Sequence, residues 1–203
     1  MTQELKQLVE LEEAYKELKD VIKSDRRVKM EMKFRWVDRF IIASIIQGAI
    51  IAVMAVVIVA IQVMNSEINI IQYLSLSFEG TGKWFFLGVI FHLIITIAVA
   101  VTALFYSQLE ITLKKKFSKK SHLLAAIHLI GMNVGGAGSM MIMTYAGLAG
   151  TGLLTVFTEG KLGPKDPAIM DSFIEPIGGF IALLAIGVMC GGLGFVLAYR
   201  NNS

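Results

Sequence analysis

Residues 84–150 read WFFLGVIFHLIITIAVAVTALFYSQLEITLKKKFSKKSHLLAAIHLIGMNVGGAGSMMIMTYAGLAG. Two apolar runs, 84–109 and 123–145, meet the ~20 residues that a helix needs to cross a ~30 Å hydrocarbon core. Between them lies a hinge with Lys114, Lys115, Lys116, Lys119 and Lys120. The first run carries His92, at a place where only lipid or protein can surround an imidazole. A polar ionisable side chain inside a span is costly to bury, which makes His92 the leading candidate for a functional residue.

Outward from this stretch, residues 40–64 and 177–199 are two further uncharged runs of spanning length. The 203 residues are 55% hydrophobic and 17% charged, with a mean hydropathy of +0.67, too apolar for a soluble domain. The expected fold is therefore all-α, an integral membrane bundle of four transmembrane helices over residues 38–203. An amphipathic cytoplasmic helix and a basic juxtamembrane segment are expected over residues 1–37. The net charge of +3 comes from basic residues beside the spans, which serves topology and gives no reason to expect nucleic acid. Cys190 is the only cysteine, so no disulfide framework exists. No cleavable signal pattern precedes the first apolar run, which is expected to direct insertion itself.

Within residues 4–23, Leu8, Leu11, Tyr15, Leu18 and Ile22 recur at spacings of three and four. The other face holds Glu10, Glu13, Lys16, Glu17, Lys19 and Asp20, with opposite charges placed to support a helix. The apolar stripe would rest on the membrane domain or bilayer, or dock on a partner subunit. Arg26, Arg27, Lys29, Lys33, Arg35 and Arg39 then crowd the entrance to the first span, and Arg200 follows the last. With the lysine hinge they predict both termini on the cytoplasmic side of the cell membrane. Of the two outer loops, residues 65–83 are apolar enough to lie in the interface, while Gly160, Gly163, Pro164 and Pro167 make the second turn-rich.

Glycines dominate the third and fourth spans. Gly131 with Gly135, and Gly187 with Gly191, stand four apart, the spacing that lets helix backbones approach closely in lipid. They serve packing between the chain's own spans, or docking of a partner's helix or a flat cofactor. His92 and His128 invite a haem held by both, but the antiparallel spans set them on the order of 15 Å apart in depth. That excludes one shared metal. Met140, Met141 and Met143 come nearer to the depth of His92, so Met140 and Met141 are weak candidates for a second ligand and otherwise core methionines. An equal reading of His92 is a buried histidine bonded to a carbonyl or hydroxyl. Gln47, Gln62, Gln108 and Asn133 are the remaining strongly polar side chains of the spans, too scattered in sequence to define a pathway. A transporter or channel is disfavoured by the lack of charge inside the spans.

From the second span onward the chain resembles the last three helices of the main subunit of the haem–copper oxidases, the cytochrome c and quinol oxidases. Phe91, His92 and Leu93 begin a span that ends in Phe105, Tyr106 and the lysine hinge, like the family's histidine-bearing tenth helix. Ile130, Gly131, Met132, Asn133 and then Gly147, Leu148, Ala149, Gly150 are similar to its eleventh, and Ile177, Gly178, Gly179, Phe180, Ile181 to the opening of its last. The resemblance implies that His92 matches the ligand of the low-spin haem. Ile90 stands where the high-spin ligand belongs, and Thr151, Gly152 and Leu153 stand where an arginine pair clamps the propionates. The copper ligands and the other low-spin ligand belong to helices that this chain lacks. Taken together, these features imply a non-catalytic integral subunit of a respiratory or metal-oxidase electron-transfer complex. In it His92 would be one axial ligand of a haem shared with a partner subunit. The alternative is a structural accessory subunit of a larger membrane enzyme, such as a copper-dependent monooxygenase, binding no cofactor.

Overall fold

The computed structural model describes residues 12–24, 35–65 and 67–200. Among them there is no strand, and four helices are long and apolar enough to cross a membrane: Trp36–Met64, Gly82–Thr112, Lys119–Gly150 and Pro167–Arg200. The protein is an all-α, multi-pass membrane bundle. The spans overrun the apolar cores expected for them. The first has 29 residues and is about 44 Å long at ~1.5 Å per residue, more than a ~30 Å hydrocarbon core requires. An even number of spans puts the start of the first and the end of the last on one side, with the lysine hinge. We call this the basic end and the other the loop end.

Each span packs chiefly on its neighbour in sequence. The second lies between the first and third, and the third runs along the fourth; the first and fourth share no substantial interface. The bundle is thus an open row with spans two and three in the middle. Glycines set the close crossings of this row. A Cβ added at Gly187 would stand 2.7 Å from the Cα of Gly131, and one at Gly135 would stand 2.8 Å from the carbonyl of Phe180. A Cβ at Gly191 would overlap the ring of His128. Gly131, Gly135, Gly187 and Gly191 are all buried. At each of the four, a side chain would run into the facing helix of the chain itself. On the other side of span three, Gly147 meets the backbone of Phe85, and Gly88 meets the backbone of Met140 and Thr144.

Two apolar clusters form the core. At the basic end Trp36, Val37, Phe40, Val99, Ala103, Tyr106, Ala125 and Met132 pack together. Phe40 stacks on Tyr106 with ring centroids 4.8 Å apart. At the loop end the cluster is Ile70, Leu74, Phe85, Leu153 and Val156. The apolar loop 65–83 therefore does more than lie in an interface. Its helix Ile70–Leu76 starts on the Asn69 side chain, which accepts from the Gln72 amide, and turns Ile70 and Leu74 inward as a plug. Tyr73 ties the plug to the third span's end by donating to the Thr151 carbonyl at 2.8 Å. Burial pushes its phenol above the ordinary value. The second loop holds its turns with Gly152 and Gly160 at φ +75° and +67°, conformations that suit glycine.

Residues 12–24 are helical and exposed throughout. Tyr15, Leu18 and Ile22 of the apolar stripe are among the exposed side chains, and Leu8 and Leu11 lie outside the described residues.

Candidate functional site

His92 is only 1% exposed, enclosed by the first three spans. Its Nε2 lies 2.8 Å from Oε1 of Gln47 on the first span. Gln47 donates through Nε2 to Oδ1 of Asn133 on the third span at 3.1 Å, and Asn133 donates through Nδ2 to the carbonyl of Leu129 at 2.8 Å. The chain of bonds has only one consistent direction. A backbone carbonyl can only accept, so Asn133 turns its amino group to Leu129 and its oxygen to Gln47. Gln47 in turn offers its own oxygen to His92, which must carry its proton on Nε2.

Local sequence explains how Asn133 comes to sit there. Residues Gly131–Ala137 wind as a π-helix in the middle of the third span. The run GMNVGGA has the small residues that tolerate the wider turn, and the Asn133 side chain occupies the Leu129 carbonyl in the looser ladder. A π turn inside a long helix frequently marks a functional position, and here it coincides with the polar chain. Gln47 and Asn133 stand far apart in sequence. They converge because they stand on the two spans that flank His92.

A second cluster of ring and acidic groups occupies the basic end. Glu110, within the π-helical turn Gln108–Thr112 that ends span two, accepts from the backbone amides of Trp36 and Val37 at 3.0 and 3.1 Å. No side chain local to the first span caps it, so this carboxylate, one oxygen per amide, satisfies its first free N–H groups and complements its dipole. Trp36 donates its indole N–H to Nδ1 of His122 at 2.8 Å, and the guanidinium of Arg39 lies 4.4 Å from the Trp36 ring. Tyr106 and His128 follow one layer deeper, with Tyr106 Oη 3.4 Å from His128 Nδ1. Glu110 was not among the residues picked out from sequence. Its signal was there: a single acid at the edge of a lysine-rich hinge.

Of the candidate haem ligands, Met140 is buried and Met141 is 48% exposed. The fourteen residues from His92 to Tyr106, beside His128, correspond to about 21 Å of helix, in keeping with the expectation that the two histidines share no metal. Among the described residues, no three His, Cys, Asp or Glu side chains converge to hold a metal. Haem does not fit at His92 as the protein stands. The imidazole nitrogen toward span one is taken by Gln47, and neither described cavity is lined by His92. The geometry at His92 can tie three helices together.

Comparison with protein-family profiles, with curated proteins and with solved structures finds no match to the chain.

Proposed function

We propose that this chain is a non-catalytic integral subunit of a larger membrane complex, in which the polar chain through His92 holds the first three spans in register. The observation that carries the reading is the open row. The first span's most apolar window is only 6% buried, and the first span does not close on the fourth. Two broad lateral faces are thereby offered to lipid or to helices of other subunits. The exposed stripe of Tyr15, Leu18 and Ile22 is a further docking surface. The lysine hinge and the basic entrance to span one favour termini on the cytoplasmic side of the cell membrane.

The oxidase-like pattern of the second, third and fourth spans supports a respiratory or metal-oxidase complex as the host. The geometry around His92 favours a structural role there over ligation of a haem, because a ligand role requires the Gln47 bond to open. Purification from the native membrane in mild detergent tests both points. The expected result is co-purification with other integral subunits, and a reduced-minus-oxidised spectrum of the complex that His92→Ala leaves unchanged. A chain that purifies alone would remove the subunit reading. A shifted haem band in His92→Ala would restore His92 as a ligand.

A further inference from the structure

The hinge between the second and third spans carries more cations than the structure uses. Lys114, Lys116, Lys119 and Lys120 are exposed, and none of the four makes an ion pair among the described residues. The acids nearest to them are engaged elsewhere. Both oxygens of Glu110 accept from the backbone amides of Trp36 and Val37, at 3.0 and 3.1 Å, and Asp38 lies in the first turn of span one. Nor do the lysines serve their own helix. Lys119 and Lys120 open the third span with no acid in its first turn, the place where the helix dipole disfavours cations. A positive-inside topology asks only for an excess of basic residues on this side, and the arginines and lysines before span one already contribute to it.

The hinge is also held in place. Phe117, between the two groups of lysines, packs on the basic-end cluster, its ring centroid 5.9 Å from that of Tyr106 and 5.5 Å from that of His122. The Ser118 side chain accepts from the Ser121 amide at 3.2 Å and fixes the turn into span three. An anchored array of cations loses less freedom on binding than a loose tail would. Its depth selects the occupant. Leu109 ends the uncharged run of span two and Leu123 opens the next, so Lys114 and Lys120 stand five and three residues from the apolar runs. At ~1.5 Å per residue that is within the headgroup layer, about 5 to 7 Å thick on each side of the hydrocarbon core. We propose that Lys114, Lys116, Lys119 and Lys120 form a docking surface for anionic phospholipid in the leaflet they face, their ammonium groups donating to the lipid phosphate.

The chain's two tryptophans stand at opposite ends of the bundle and make the test internal. Trp36 lies beside the hinge, 5.9 Å from His122 between ring centroids, and Trp84 lies in the first turn of span two at the loop end. The full chain is reconstituted in phosphatidylcholine bilayers that contain phosphatidylglycerol or phosphatidylcholine with brominated acyl chains, which quench tryptophan through space. Trp84→Phe leaves Trp36 as the reporter, and Trp36→Phe leaves Trp84. Phosphatidylglycerol should be preferred over phosphatidylcholine roughly ten-fold at Trp36 and not at Trp84. Lys114→Gln with Lys116→Gln, and separately Lys119→Gln with Lys120→Gln, should each cut the preference about three-fold, inside the roughly five-fold that one lysine at an anionic surface can give. High salt should cut it in the unmutated hinge, a measurement that needs no variant to insert correctly. Lys83→Gln with Lys161→Gln, at the loop end, should leave it as it was. Equal preference at the two tryptophans, or a preference at Trp36 that survives both lysine pairs and high salt, would overturn the proposal and leave the lysines to topology or to an acidic partner chain. Loss of the preference to inorganic phosphate at constant ionic strength would overturn it too, since the occupant would then be a soluble anion.

Discussion

His92 and His128 lie in the same membrane domain, yet one is fastened and the other half free. His92 is sealed among three spans and its Nε2 proton goes to Gln47, the first link of a chain that ends on a backbone carbonyl. His128 shares one long contact with Tyr106 and lines a groove open to lipid. The difference lies in what the neighbouring helix supplies. Span one provides an amide beside His92, and a polar group that finds a full partner in hydrocarbon becomes part of the scaffold. Span four provides glycine beside His128, so the ring packs on the Gly191 backbone at the edge of the groove. Whether a histidine in a span is a strut or a groove lining is decided by the side chain opposite it.

The strongest way to separate the two regions is to push the third and fourth spans apart. Gly131→Leu places a side chain where the Gly187 Cα already stands. It should cost at least about 3 kcal/mol, the upper end for overpacking, and destroy the His128 groove while the Gln47 to His92 bond within the first two spans survives. Unfolding in detergent and cross-linking between cysteines placed on the first and second spans would check both halves of this expectation.

Next in size is Gln47→Leu. It strands the His92 N–H and removes the amino group that serves Asn133, at a cost of about 2 kcal/mol for buried groups left unsatisfied. Adding His92→Leu to Gln47→Leu should cost less than the two single changes summed, because the shared bond can be lost only once. Additive unfolding energies would show that the bond is not made. Glu110→Gln keeps one acceptor oxygen, sets an amino group against the other amide and removes the charge at the start of span one, and should lose about 1 to 1.5 kcal/mol. The loss should shrink in high salt, since the carboxylate lies near the basic end. The smallest effect belongs to His128→Phe, expected within about 0.5 kcal/mol of wild type, because a 3.4 Å contact contributes little. A cost for His128→Phe as large as that of Gln47→Leu would erase the distinction between the two histidines.

Hydropathy alone located the four spans, because a backbone in lipid must be helical and the apolar runs are long enough to show it. Their ends were harder to read. Span one begins at Trp36, ahead of its uncharged run, since Glu110 from another helix caps it, and span four passes through Pro176 to begin near Pro167. The choice of His92 came from its burial cost, and Gln47 and Asn133 were visible as polar residues in apolar runs. Their meeting was not, because it depends on which faces three helices turn to one another and on a π turn that hydropathy does not register. The glycine spacing showed close approach without saying to what. In the structure Gly131 and Gly187 approach each other's backbone.

The central claim is that His92 is a neutral strut that donates from Nε2. Nitrogen NMR of the chain, with its histidines isotopically labelled and reconstituted in lipid, measures this directly, with His92→Leu identifying the signal. The account predicts a neutral ring protonated at Nε2, whose resonance moves when Gln47→Leu removes the acceptor. A ring protonated at Nδ1, with Nε2 bare and free to bind a metal, would contradict it.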